Sequence, residues 1–209
     1  MHTESLTSAA GKLFPTLSSF KDDFYLAGGT ALALQIGHRV SVDFDMFSDM
    51  PIKKTLLKKV EELYRGSSRE FLVSNKDELT LMIDGVKFTF LYYPFPAVLP
   101  LETKAPVPLL SIKEILAAKA YTIGRRGQFK DYVDIYTGLT GGYSTLGDMI
   151  ALASKKYGDA FNDRLFLEQL VYMDDIEETA ITVISGKVPT KEDLIQFFTK
   201  LVKEESGTM

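Results

Sequence analysis

Apolar and polar positions follow different periods in the two halves of the chain. In the first half the apolar runs are short and have strand composition, which predicts five β-strands. They lie at residues 24–27, 40–47, 70–75, 78–83 and 86–93. The Asp84-Gly85 pair between the last two runs predicts a tight hairpin turn.

Apolar residues three and four apart predict helices in the rest of the chain. They are expected at residues 3–20 with a break near Pro15, 30–36, 56–64, 111–124, 130–139, 145–157, 162–172 and 190–204. The proline-rich stretch 94–108 has no period, and residues 204–209 are expected to fray. The pattern predicts an α+β unit, 1–108, followed by a helical region, 109–209.

Composition excludes several classes of protein. The 209 residues are 45% apolar and 25% charged, which is typical of a globular protein, and the net charge of −4 provides no general attraction for nucleic acid. There is no cysteine, and His2 and His38 are the only histidines, so disulfides, thiolate sites and multi-histidine metal sites are excluded. No signal peptide or bilayer-spanning run is present, so we expect a cytoplasmic location and no membrane partner.

Residues 24–47 carry the chain's most specific chemistry. They read as a strand, a Gly28-Gly29 turn, a short helix and a strand with Asp43 and Asp45. Residues two apart on a strand share a face, so the two carboxylates point together toward the turn. Glycine amides at a helix start suit phosphate, and paired carboxylates suit Mg²⁺ or Mn²⁺, so the segment predicts chemistry on a nucleoside triphosphate. The alternative is a strand edge whose aspartates only prevent aggregation.

Polar residues around the glycines have two interpretations each. Thr30 is expected to cap the helix and to contact a phosphate, although the glycines alone also fit a simple strand-to-helix turn. Arg39 either pairs with Asp43 or Asp45 or contacts the triphosphate. His38 is expected to form structural hydrogen bonds, and the alternative is a catalytic role.

A second polar cluster occupies residues 111–136. Lys119 falls on an apolar helical stripe, where it either snorkels to solvent or reaches a triphosphate or carboxylate. Arg125, Arg126 and Lys130 form either a phosphate-binding lip or a solvated turn. Asp131 suits the first turn of a helix for structural reasons alone, and Asp134 has no such explanation.

These two motifs resemble those of the AbiEii/AbiGii-type nucleotidyltransferase family, which contains toxins within the polymerase-β-like superfamily. The first motif, GGTALALQIGHRVSVDFDMF, matches at Gly28, Gly29, Thr30, Arg39, Ser41, Asp43 and Asp45. The second matches at Lys119, Arg125 or Arg126, Lys130, Asp131 and Asp134. The resemblance covers residues 24–140.

The resemblance implies a mixed sheet flanked by helices, and Mg²⁺-dependent transfer of a nucleoside monophosphate to a hydroxyl. It implies that Asp43 and Asp45 bind the metal and that Lys119, Asp131 and Asp134 assist catalysis. The nucleotide would be held by Gly28, Gly29, Thr30, Arg39, Ser41, Arg125 and Lys130. The implied acceptor is an RNA such as a tRNA end, a protein or a small molecule, and an antitoxin is an implied partner.

The chain departs from the superfamily pattern at one position. A third carboxylate is expected on a later strand, but the matching strand contains Thr89 there and no acid. Asp84 belongs to the hairpin turn, so Asp131 or Asp134 is the expected base. The alternative is a nucleotide-binding or regulatory module with little or no catalytic activity.

Overall fold

The computed structural model describes residues 1–206, apart from the side chains of Arg126 and Ser206. The chain divides into two compact units, Met1–Ser111 and Ile112–Met209. Among the described residues, the first unit contains five strands and three α-helices, and the second contains five α-helices.

The first unit is built on a five-stranded mixed sheet, as predicted. Its strands are β1 Tyr25–Ala27, β2 Phe44–Ser48, β3 Arg69–Ser74, β4 Glu78–Ile83 and β5 Val86–Tyr92. They lie in the order β1-β2-β5-β4-β3. β2 and β5 are parallel and the other neighbours are antiparallel. The predicted hairpin joins β4 and β5, and Asp84 and Gly85 both have positive φ, as a type I′ turn requires.

One face of this sheet forms the core of the first unit. Its inward side chains are fully buried, with 0% exposure for Phe44, Met46, Phe88 and Phe90. Rings from the preceding helical segments cover them, with centroid distances of 4.8 Å for Phe20 and Phe90 and 6.2 Å for Phe14 and Phe44. Because strand residues alternate between faces, this packing directs the intervening residues of β2 and β5 to the opposite face.

The N-terminal segment, expected as a helix at 3–20 with a break near Pro15, is divided into three short pieces. It forms a 3-10 turn at Thr3–Ser5, helix α1 at Ser8–Leu13 and a 3-10 helix at Phe14–Phe20. The change of helix type coincides with Pro15, which has no N–H to donate to the α-helical ladder. The predicted break near Pro15 is therefore confirmed.

Two boundaries near the glycine turn also differ from the prediction. Helix α2, Gly28–Ile36, begins two residues earlier than expected and ends before Gly37, whose φ is +68°. β2 begins at Phe44 rather than at residue 40, because the Ser41 amide donates to the Ser5 carbonyl at 2.8 Å. This pairs the approach to β2 with the N-terminal segment instead of with the sheet. Helix α3 follows at Leu56–Leu63.

The second unit is helical, and each predicted helix is present to within two residues at either end. The helices are α4 Ile112–Arg126, α5 Phe129–Thr140, α6 Leu146–Tyr157, α7 Asp163–Val171 and α8 Lys191–Ser206. Thr145 and Asn162 cap α6 and α7 by accepting from backbone amides at 3.1 and 2.9 Å. The expected frayed end is helical up to Ser206, and residues 207–209 lie outside the described residues.

Helices α4 and α6 share a fully buried ion pair. Lys156 Nζ lies 2.6 Å from Glu114 Oε1, and the two side chains are 1% and 0% exposed.

Across residues 1–206, no helix has both the length and the apolar character needed to cross a bilayer.

Candidate active site

Asp43 and Asp45 lie on the sheet face opposite the core. Phe44 and Met46, which alternate with them, are fully buried, whereas both aspartates are partly exposed. Asp45 is paired in register with Ala27 on β1 and with Thr89 on β5. The structure therefore brings the two carboxylates to one side of the sheet, beside the β1–α2 turn.

The diglycine turn is shaped around two charged side chains. Gly28 has a φ of +66°, and a Cβ there would collide with Asp45 Oδ2 and lie 3.3 Å from its Cγ. A Cβ at Gly29 would collide with Arg39 Nη2. Only residues without a Cβ allow the carboxylate and the guanidinium to come this close to the start of α2.

Thr30 and Ser41 join the turn to the segment that carries the aspartates, with Asp43 just before β2 and Asp45 within it. The Thr30 hydroxyl donates to the Asp43 carbonyl, and the Thr30 and Ser41 hydroxyl oxygens are 2.8 Å apart. The prediction that Thr30 caps α2 is wrong, because the helix starts at Gly28 and Ala27 occupies the N-cap position. Thr30 is 1% exposed and holds Asp43 in place, while its contact with a phosphate stays a prediction.

A residue that the sequence reasoning missed lies next to Asp43. Lys87 on β5 places Nζ 3.2 Å from Asp43 Oδ2, with side-chain exposures of 40% and 31%. Lys87 and Thr89 are two apart on β5, so they share the face that carries the aspartates. Alternation along β5 predicts from the sequence that Lys87 and Thr89 share a face. The parallel register that brings Lys87 to Asp43 is known only from the fold.

The donor set fits one divalent ion. Among residues 1–206 no three or more histidine, cysteine, aspartate or glutamate side chains are grouped to hold a metal, so this site offers a pair of carboxylates. Mg²⁺ at nucleotide sites commonly takes one or two carboxylates and completes its octahedron with phosphate oxygens and water. The pair therefore suits an ion that arrives with a triphosphate.

The second unit has its own charged cluster, which lies between α4 and α5. Lys119 Nζ is 2.7 Å from Asp131 Oδ1 and 2.7 Å from Asp134 Oδ2, and the three side chains are 9%, 11% and 0% exposed. Burial, the largest single influence, lowers the pKa of Lys119, but attraction to Asp134 and then Asp131 outweighs it and raises the pKa. Lys119 is therefore a firmly held cation that faces two carboxylates.

Asp131 also has a structural role. Its second oxygen accepts from the Gln128 amide at 3.1 Å, and the two residues form a capping box at the start of α5. This agrees with its expected first-turn position. Asp134 is fully buried and takes no part in that capping box, and the sequence predicted no structural role for it.

Arg125, one residue of the expected basic lip, makes contacts within the second unit. Arg125 donates to the Ala160 carbonyl at 3.0 Å, and its guanidinium lies 4.0 Å from the ring centroid of Tyr121. Tyr121 in turn stacks on Tyr157, with 4.0 Å between centroids. Lys130 is exposed, and the side chain of Arg126 lies outside the described part of the structure.

Comparison with known proteins identifies the family. A sequence model described as nucleotidyl transferase AbiEii toxin, Type IV TA system, matches residues 13–204. The chain belongs to the AbiEii family. An uncharacterized protein of Aquifex aeolicus is 32% identical to it over 188 residues, which are 88% of each chain.

Solved structures show that this AbiEii-family chain has a nucleotidyltransferase-toxin fold. MenT4, a nucleotidyltransferase toxin of Mycobacterium tuberculosis, superposes with a TM-score of 0.60 at 17% identity, over 97% of this chain and 87% of that one. JHP933 of Helicobacter pylori gives 0.53 at 15% identity over 97% of both chains. The resemblance and the α+β fold expected from the sequence are confirmed, and the family makes the protein a nucleotidyltransferase.

Proposed function

We propose that this nucleotidyltransferase uses Mg²⁺ or Mn²⁺ to move a nucleoside monophosphate from a nucleoside triphosphate to a hydroxyl of an acceptor. The observation that carries the proposal is the contact between Asp45 and the Gly28 turn, with Asp43 on the same face. This arrangement combines an anion-binding helix start with metal-binding carboxylates within one α+β unit.

In this proposal Asp43 and Asp45 hold the divalent ion. When bound, the ion stabilises negative charge on the attacking and leaving oxygens of the phosphoryl transfer. The amides of Gly28 and Gly29 at the start of α2 bind phosphate oxygens, because the first amides of a helix have no partner within it. Arg39, which lies against Gly29, adds positive charge to the same place, and Thr30 and Ser41 complete the phosphate contacts.

We propose that Lys119, Asp131 and Asp134, in the charged cluster of the second unit, are the other catalytic groups. Lys119 contributes positive charge during the transfer, and Asp131 or Asp134 accepts the proton of the acceptor hydroxyl. The raised pKa of Lys119, caused by attraction to Asp134 and Asp131 in excess of the burial penalty, keeps it protonated for this role. Arg125 and Lys130 are proposed to contact the nucleotide.

The direct test is transfer of label from a radiolabelled triphosphate. We expect Asp45→Asn and Asp43→Asn to lower labelling by more than about a hundredfold, since even outer-shell changes at metal sites cost roughly 10–100-fold. Asp49→Asn is the matched control, because Asp49 is an exposed acid just after β2. Equal labelling by Asp45→Asn and the parent protein would refute the metal assignment.

The family also suggests the biological setting. We propose that the acceptor is an RNA such as a tRNA end, a protein or a small molecule, that the protein acts as a toxin, and that a cognate antitoxin counters it. An enzyme that consumes nucleoside triphosphates needs the compartment where they are made, so we propose a cytoplasmic location. Induced expression tests toxicity: growth arrest that Asp45→Asn relieves supports it, and unaffected growth contradicts it.

A second candidate function rests on Thr89. Thr89 is paired with Asp45 in register, at the place where an acid would complete a three-carboxylate site. A protein without that acid retains nucleotide binding and loses turnover, which gives a regulatory nucleotide-binding module. Calorimetry separates the two functions, since triphosphate binding without product for any acceptor supports the module.

A further inference from the structure

Lys87 places its ammonium group beside a carboxylate of the candidate metal site. Its ammonium is 3.2 Å from Asp43 Oδ2, and about three-fifths of its side chain is shielded from solvent. This close contact with Lys87 occupies Asp43, which is one of the two carboxylates that a divalent metal ion would use. Lys87 and a divalent ion therefore compete for Asp43.

The position of Lys87 is fixed by the sheet rather than by chance contact. β5 is a central strand between β2 and β4, and its alternate residues Val86, Phe88 and Phe90 are buried on the core face. Lys87 and Thr89 must therefore point to the aspartate face. The parallel register sets Thr89 beside Asp45 and directs Lys87 toward Asp43.

The charges of this face favour a single divalent ion. Asp43, Asp45 and Lys87 together carry one net negative charge, Thr89 adds none, and Arg39 beside Gly29 makes the surroundings more positive still. An acid at position 89 without the lysine would leave three negative charges instead. The two arrangements differ by two charges, which is the charge of one divalent ion. Two-metal sites hold their ions about 3.5–4 Å apart and therefore need carboxylates that can bridge them.

We propose that Lys87 is a positioning residue that acts as a built-in cation and, with Thr89, limits the Asp43–Asp45 pair to one divalent ion. Lys87 would release Asp43 to a bound ion, and its ammonium would then donate to a phosphate oxygen of the triphosphate. This inference rests on the proposed function, because it assumes that the ion and the triphosphate bind at this face.

The first test measures Mn²⁺ affinity by equilibrium dialysis without nucleotide. Lys87→Met keeps the length of the side chain and removes the competing charge, so we expect Mn²⁺ to bind about tenfold more tightly, which equals about 1.4 kcal/mol. Lys76→Met is the control, since Lys76 is 90% exposed and pairs with Asp77 at 3.8 Å. An affinity of Lys87→Met within twofold of the parent, or weaker, overturns the proposal.

The second test counts Mn²⁺ ions per chain in the presence of a nonhydrolysable triphosphate. We expect one ion for the parent and for Thr89→Asn, and two for Thr89→Asp, because only the acid can bridge a second ion. Two ions in the parent overturn this inference and leave the proposed function intact. No ion in any variant overturns the proposed function and this inference with it. The Lys87 test stands even if Thr89→Asp fails to fold.

Discussion

Replacing Gly28 with alanine tests the diglycine turn, and Gly85 provides a matched control. Both glycines have positive φ, +66° and +80°, so an alanine at either position is forced into the left-handed region. That costs about 1–2 kcal/mol. The surroundings differ, because a Cβ at Gly28 collides with the Asp45 carboxylate and a Cβ at Gly85 has nothing within 4 Å.

The two variants should therefore share a loss of stability and differ in metal binding. With a urea m-value of about 2 kcal/mol per M, Gly85→Ala should lower the unfolding midpoint by roughly 0.5–1 M. Gly28→Ala should add the cost of moving Asp45 from its rotamer, about 0.5–1.5 kcal/mol. Only Gly28→Ala displaces a carboxylate that the ion needs, so only this variant should lose Mn²⁺ affinity, by about tenfold or more.

Urea unfolding and Mn²⁺ dialysis on the same preparations measure both quantities. Equal Mn²⁺ affinity in Gly28→Ala and Gly85→Ala would mean that the ion does not use Asp45 in the position the turn gives it. A loss of affinity in both variants would trace the effect to backbone strain and not to the collision.

Three further predictions concern the second unit. Lys119→Met leaves two buried carboxylates without their ammonium and should cost about 3–5 kcal/mol by chemical denaturation; a cost below about 1 kcal/mol would contradict the buried cluster. The pKa of Lys119 is raised in the folded state, by Asp134 and Asp131 against the burial penalty, so its contribution is complete below the unfolded pKa and is lost as the pH rises through the folded pKa. The stability difference between parent and Lys119→Met should thus not decline between about pH 6 and 9 and should shrink only in stronger base, and a decline within that window would show the opposite shift. Lys156→Met should cost a similar 3–5 kcal/mol, and adding Glu114→Leu should recover most of it, whereas additive losses in the double variant would rule out a coupled pair.

Local rules were enough to predict the aspartate face and the hairpin. Period-two alternation predicts one face for Asp43 and Asp45, although Asp43 lies just before β2, and Asp84-Gly85 needs only the preference of those residues for positive φ. The helices of the second unit follow for the same reason, because each has a local apolar period.

Contacts between distant segments were not predictable in this way. The ion pair between Lys87 and Asp43 depends on the parallel register of β2 and β5, which are separated by α3 and two strands. The late start of β2 depends on Ser41 pairing with Ser5, and the close approach of Arg39 depends on a missing Cβ at Gly29. The sequence predicted a carboxylate partner as one alternative for Lys119, but the simultaneous pairing with Asp131 and Asp134 follows from how α4 and α5 pack.

A crystal structure with Mn²⁺ and a nonhydrolysable triphosphate would show whether the aspartate pair holds the ion beside the bound phosphates. The anomalous signal of the metal should lie between Asp43 and Asp45, with triphosphate oxygens completing its coordination and the phosphates against the amides of Gly28 and Gly29. A triphosphate bound elsewhere, or a metal that contacts neither aspartate, would contradict the account.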